Sequence, residues 1–292
     1  GIGSFSKCIP LHLTVAYGKS LNQSAMINPP SLIAFDFDGV ICDGLIEYFQ
    51  TAWRAYRELF TSSPPESPPE SLPEPPPKLA DQFYPLRPVV ETGWEMPILL
   101  RALLTDNAPA SILEDWPTLA QTVLKQSQLT SAQASAAVDG VRDRWITTAL
   151  DDWLALHRFY PGVLERLQAI QASDRQLVII STKEGRFIRQ LLAQQGLNLE
   201  DKQIIGKEIK QPKYETLRQL HQEQGHQTIW FIEDRLKALQ SVAQQPDLVD
   251  VVSLFLADWG YNLERDRAIA LKDSRLNLLS LAKIKKDIAY WP

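Results

Sequence analysis

Two aspartates spaced one apart, Asp36 and Asp38, close the apolar run "SLIAFDFDG" at residues 31–39, where their charges repel. A buried strand that delivers both to one point needs a compensating cation. Further along, "QLVIIST" ends in Ser181 and Thr182, "TIWFIED" ends in Glu233 and Asp234, and Lys213 opens "KYETLRQL" between them. Each group alone is weak evidence, since a carboxylate at a strand end caps a helix as readily as it binds a ligand, and a lone lysine is usually solvated. Together, four acids, hydroxyls and an ammonium suit phosphoryl transfer. Hard carboxylate oxygens crowded around one point favour Mg²⁺. One carboxylate can then attack phosphorus and a second can move a proton to and from oxygen. Hydroxyl and ammonium groups can hold the phosphoryl oxygens as charge develops. Gly39 lets the chain turn sharply just after the two aspartates.

These groups meet only if the chain is wound to bring them together. Four runs, at 31–37, 176–180, 228–232 and 251–257, are continuously apolar, the pattern of strands buried on both faces of a parallel sheet. Helical spacing separates them: Phe187, Ile188, Leu191 and Leu192 share a face before Gly196, and Leu236, Leu239 and Val242 repeat it before Pro246. The alternation predicts a doubly wound α/β core with a Rossmann-like parallel sheet, in which ligands lie beyond the carboxyl ends of the strands.

Residues 38–175 carry no strand signal. Leu45, Tyr48, Phe49, Ala52, Tyr56 and Leu59 mark an amphipathic helix, and helical patterns follow at 93–105, 111–127 and 130–156. The expected division is an N-terminal extension at 1–30, an α/β core from 31–43 and 160–292, and an inserted α-helical cap at 44–159. Within the cap, "TSSPPESPPESLPEPPPK" (61–78) holds eight of the chain's 20 prolines. Proline lacks the amide donor, so this stretch is expected to be an extended or disordered loop. Its PxxP spacing could serve a partner, but a solvent-exposed insertion is the simpler reading. The first 25 residues have neither the basic cluster nor the cleavage site of a secretory signal. They read either as a non-native or disordered extension before Met26 or as an arm packed on the domain.

With its motifs in this order, the sequence resembles the haloacid dehalogenase superfamily, in the branch whose helical cap follows the first strand. It is similar to the phosphoglycolate phosphatases and β-phosphoglucomutases of that branch. The resemblance is carried by "FDFDGVICDG", "LVIIST", a lysine near "QPK" and "WFIED", with "FYPGVLERLQAI" as the return from cap to core and "LADWGYN" as the late strand and loop. It covers the core from about residue 31 to 285; the cap matches in position and helical character only.

The resemblance implies a Mg²⁺-dependent phosphatase that hydrolyses a small phosphorylated metabolite through an aspartyl-phosphate. Asp36 would be the nucleophile and a metal ligand. Asp38 would be the general acid/base and lend the metal its backbone carbonyl. Ser181 and Thr182 would bind phosphate, Lys213 would bridge it to the nucleophile, and Glu233 and Asp234 would complete the metal site. Dehalogenases and phosphonate-cleaving relatives lack an acid at the position of Asp38, so its presence favours phosphate esters. Lys237 and Ala238 stand where many family phosphatases carry another aspartate, and the Glu-Asp pair resembles the sugar-phosphomutase branch. Gln211 precedes Pro212, so Lys213 or Lys210 must supply the motif lysine; Lys213 is preferred because Leu217 and Leu220 then face inward. The rival readings are a sugar phosphomutase of the same superfamily and a non-catalytic binding protein on this fold.

Composition bounds the class. The 292 residues, 45% hydrophobic, can bury a sizeable core, and a net charge of -5 argues against a nucleic-acid partner. No run approaches about 18 apolar residues, so no membrane span is expected. Cys8 and Cys42, the two cysteines, exclude a disulfide framework and suit a reducing, cytoplasmic setting. Cys42 reads as packing. In "RPVVETGWEMP" (87–97), Arg87 or Glu91 could touch substrate, while Trp94 and Met96 read as core. His157, near the return from cap to core, reads as a structural hydrogen bond. Nothing in the sequence fixes an oligomeric state.

Overall fold

Alternate residues of the first strand, β1 (Leu32–Phe35), enter two different cores. Ile33 and Phe35 join one apolar cluster, and Leu32 and Ala34 join another on the opposite face. The same division holds along β4 (Gln176–Ile180), β6 (Ile229–Glu233) and β7 (Val252–Ala257), which is why these runs are apolar throughout. The computed structural model describes residues 27–61, 73–226 and 228–292. The expected extension up to residue 26 and most of the proline-rich stretch lie outside the described residues. Ile27 packs on the core and Asn28 accepts a hydrogen bond from Trp230 Nε1 at 3.0 Å, so residues 27 and 28 are docked against the sheet.

The sheet has six parallel strands in the order β5-β4-β1-β6-β7-β8, with β5 at Ile204–Ile205 and β8 at Leu276–Leu279. Helices cover both faces, giving the doubly wound Rossmann-like α/β fold expected. β1 lies between β4 and β6, so the three strands whose ends hold the candidate site residues are adjacent. Trp291, near the chain's end, packs edge-on to Phe35 and Phe255 at 6.3 and 6.4 Å between centroids and closes one face beside Trp230. Edge-to-face geometry suits the ring quadrupoles.

The interval 38–175 is not free of strands. Cys42–Asp43 (β2) pairs antiparallel with Arg158–Phe159 (β3), tying together the two chain crossings that flank the helices. Two-residue strands are too short to carry a periodic signal. Between them the helix Leu45–Phe60 packs on Glu95–Leu104 and Ser131–Thr148 around Phe49, Trp53, Phe83 and Trp116. The helix expected over 111–127 is two, Pro109–Glu114 and Trp116–Gln126. Asp115 breaks it with extended φ, its side chain capping Thr118 N, and Pro117 starts the second helix where its missing amide costs nothing. The pattern over 130–156 likewise splits into Ser131–Thr148 and Leu150–Leu154 at Ala149.

Candidate active site

The carboxyl ends of β1 and β6 set the centre of the site. Asp36 follows β1, its N–H donating to Ile232 O at 2.9 Å, and Glu233 and Asp234 end β6 beside it. Gly39 turns the chain back with φ +84°, and a Cβ there would overlap the Asp234 carboxylate and approach Tyr261 Cδ2 at 2.9 Å. The turn therefore requires glycine for both conformation and space. Lys213, the first residue of the helix Lys213–Gln224, places Nζ 2.9 Å from Asp36 Oδ1 and 2.6 Å from Glu233 Oε2. Lys210 is exposed and left-handed at φ 54°, so the register puts Lys213 at the site.

Crowding perturbs these acids. Burial, then Glu233, push the Asp36 carboxyl up to about 7 against the pull of Lys213. Asp234 is raised well above the usual carboxylate range by burial and by its neighbours Glu233 and Asp36. Burial acts on Glu233 as well, but the charge of Lys213, hydrogen bonds with the Asp234 and Lys213 side chains and the Arg235 amide outweigh it and hold Glu233 low. Burial alone would lower Lys213, yet Asp36 and Glu233 hold it above its ordinary value.

One oxygen from each of Asp36, Glu233 and Asp234 lies within 4.8 Å of the others, and all three side chains are buried. Asp234 Oδ2 accepts from Tyr261 N at 2.7 Å, whereas its Oδ1 is buried without a hydrogen-bond partner. An orphaned carboxylate oxygen in an acid cluster fits a hard divalent cation, which would satisfy that oxygen and offset the repulsion.

Other expected residues have plain positions. Asp38 lies beside the centre, its two oxygens 3.2 and 3.3 Å from Lys183 Nζ. Ser181 is buried at the end of β4, its Oγ accepting from Lys183 N at 3.0 Å, and Thr182 lines the cavity. Arg87 and Glu91 both face the cavity. Arg87 is stacked between the rings of Tyr48 and Tyr261, at 4.0 and 4.6 Å, and Glu91 pairs with Arg235 and Lys237. Trp94 is half-buried against the helical core; Met96 is fully buried and also touches the cavity wall. His157 Nδ1 lies 3.2 Å from both the Trp153 and Leu154 carbonyls, a structural contact as expected. Cys42 is buried in the sheet's core, where burial and Asp38 hold its thiol far above the ordinary value.

Sequence reasoning missed Lys183, Arg235, Tyr261 and the pair Glu47–Arg142. Glu47 is buried, accepting from Arg142 Nε at 2.8 Å and from Trp153 Nε1 at 2.9 Å. Burial would raise it, but Arg142 draws its carboxyl down to about 2. Lys183 and Arg235 directly follow "ST" and "IED". Adjacency to a strand-end motif was the available signal. A cavity of about 670 Å³ opens between the strand ends and the helical layer, walled by Asp36, Asp38 and Lys213 on one side and Tyr48, Arg87 and Arg142 on the other.

Comparison with known proteins bears on the family and the fold. The model of the haloacid dehalogenase-like hydrolase family matches residues 30–244. No curated protein matches the chain. Among solved structures, a haloacid dehalogenase-like family hydrolase from Streptococcus pneumoniae superposes with a TM-score of 0.55 at 16% identity, covering 90% of this chain and 99% of its own. A protein described as a predicted phosphatase from Clostridium acetobutylicum gives 0.53 at 13% identity, covering 87% and 94%. At such identities these structures share the fold. Among the described residues no helix is long and apolar enough to cross a membrane. The chain belongs to the haloacid dehalogenase-like hydrolase family: it is a hydrolase, built on the fold that solved members of that family share.

Proposed function

We propose that this enzyme is a phosphoric monoester hydrolase that cleaves a small phosphorylated metabolite, with Asp36 as nucleophile. The observation that carries this reading is the meeting of Asp36 with Lys213 at 2.9 Å at the floor of the cavity, inside the cluster of Glu233 and Asp234. Asp36, Glu233 and Asp234, with the backbone carbonyl of Asp38, are the residues that would hold Mg²⁺. Bound there, the cation would supply positive charge to offset the carboxylates and the phosphoryl oxygens, so that one anion could approach another.

Asp36 Oδ attacks phosphorus, and the ester P–O bond breaks as Asp38 gives a proton to the departing oxygen. Asp38 then takes a proton from water, whose oxygen attacks the phosphorus of the aspartyl-phosphate. Inorganic phosphate leaves and Asp36 is regenerated. Lys213 stabilises charge on the phosphoryl group beside the nucleophile, and Ser181 and Thr182 donate to its oxygens. The helical layer acts as a cap that admits substrate and then excludes bulk water. The partner is a small phosphorylated metabolite rather than a nucleic acid, and two cysteines with no disulfide framework suit the cytoplasm.

A phosphomutase is the second reading, favoured by the Glu233–Asp234 pair. Phosphate release from a panel of phosphorylated metabolites, with Mg²⁺ and with EDTA, tests both. Mg²⁺-dependent release lost in Asp36→Asn, with an unchanged melting temperature, supports the hydrolase. Conversion between sugar-phosphate isomers without release supports the mutase.

A further inference from the structure

Two arginines cross the gap between sheet and helical layer in opposite directions. From the helical side, Arg87 reaches down between Tyr48 and Tyr261 into the cavity. From the sheet side, Arg235, one residue past Asp234, reaches up. Its Nη1 donates to Pro88 O at 2.8 Å and to Tyr261 O, and its Nη2 donates to Val90 O at 3.2 Å. The same Nη2 lies 3.0 Å from Glu91 Oε1, and Lys237 Nζ adds a contact at 3.4 Å. A planar fork with fixed donors can bind several acceptors at once, which a single ammonium cannot.

Apart from the Tyr261 carbonyl, these contacts fall on one short segment, 87–91. Its far end is already held inside the helical layer, where the buried Glu95 accepts from Glu91 N at 3.1 Å and Thr92 N at 2.6 Å while also binding Trp116 Nε1. Its near end carries Arg87, whose Nη1 donates to Val90 O at 3.2 Å, the same carbonyl that Arg235 grips. Tyr261 joins the two arginines to the acids: its N–H binds Asp234, its ring stacks on Arg87 and its carbonyl accepts from Arg235.

We propose that Arg235 is a positioning residue: by clamping Pro88, Val90 and Glu91 it fixes Arg87 in the cavity that Asp36 also lines. The kinetic part of this proposal rests on the phosphatase reading above; the mechanical part does not. Arg235 reaches the cavity through the segment and through Tyr261, whose ring packs on Arg87, so its effect on catalysis and that of Arg87 share one route.

Amide hydrogen exchange of residues 86–92 in the full-length protein, without ligand, tests the clamp directly. Arg235→Ala is expected to speed exchange there by about tenfold or more, with the helices Glu95–Leu104 and Ser131–Thr148 unchanged. Glu91→Gln is expected to keep most of the protection, because the carbonyl contacts remain. Should Arg235→Ala fail to fold, Arg235→Lys keeps the charge, loses the fork and gives a smaller increase in the same segment. The second readout is kcat/KM for 4-nitrophenyl phosphate with Mg²⁺, where Arg235→Ala and Arg87→Ala combined are expected to lose no more than the worse single change. Unchanged exchange at 86–92, or losses that multiply, overturns the proposal. Faster exchange in a protein whose wild type hydrolyses no phosphate ester upholds the clamp and rejects the phosphatase reading.

Discussion

The ammonium of Lys183 lies 3.2 and 3.3 Å from the two carboxylate oxygens of Asp38. The same residue donates its backbone N–H to Ser181 Oγ at 3.0 Å, so one lysine orients both the proposed proton carrier and a proposed phosphate ligand. Lys183→Met is expected to slow hydrolysis of an alkyl phosphate by about a hundredfold, the usual scale of a proton-transfer contribution. The loss on 4-nitrophenyl phosphate should be much smaller, because that leaving group departs without a proton. Equal losses on the two esters would detach Lys183 from the proton step.

The unpartnered Oδ1 of Asp234 predicts a measurable response to cation. Mg²⁺ at about 100 times its Kd should stabilise the fold by about 2.7 kcal/mol, seen as a rise in Tm that EDTA reverses. Asp234→Asn should remove most of that rise. A variant that keeps the full response would move the cation elsewhere.

Gly39→Ala should act on the same site through space. The added methyl group meets the Asp234 carboxylate and the Tyr261 ring, at a φ of +84° that alanine resists. The expected result is loss of turnover and of the Mg²⁺-dependent rise in Tm, with far-ultraviolet circular dichroism unchanged. Full activity in this variant would mean that the turn yields more easily than its packing indicates.

Glu47 links the helical layer to pH. Its carboxyl is held near 2 in the fold against 4.5 as the ordinary value: burial raises it, and Arg142 overcomes burial. The folded pKa is the lower one, so this stabilisation is present above about pH 4.5 and disappears as pH falls through 2. Its size is on the order of 3 kcal/mol. Glu47→Gln should lower the urea midpoint at pH 6 and flatten its decline between pH 5 and 3. A decline as steep as that of the wild type would place the acid sensitivity in other groups.

The sequence disclosed what strand ends deliver and hid what loops bring across. Asp36, Ser181, Glu233 and Asp234 could be read because each follows an apolar run that stops where the buried strand stops. Helical spacing selected Lys213 over Lys210, since Leu217 and Leu220 must both face the sheet. Arg235 and Tyr261 escaped because their partners, Pro88 and Asp234, are set by crossovers that local periodicity does not encode. The break at Asp115 was legible in principle: an aspartate two residues before a proline is a helix start. β8 was missed because Asn277 interrupts its apolar run, and its side chain instead binds Leu254 O on the neighbouring strand at 3.1 Å.

The ribbon that pairs Cys42 with Phe159 and Asp43 with Arg158 brings the entry and exit of the helical layer side by side. A segment whose two ends are neighbours is topologically a cassette. It can lengthen without moving the strands that deliver Asp36 and Glu233. By the same geometry, a short turn joining Asp43 to Arg158 would excise the layer and leave the six-stranded sheet its own hairpin closure. The sheet that carries the acids and the helical layer above it are thus joined along the chain at this one crossing.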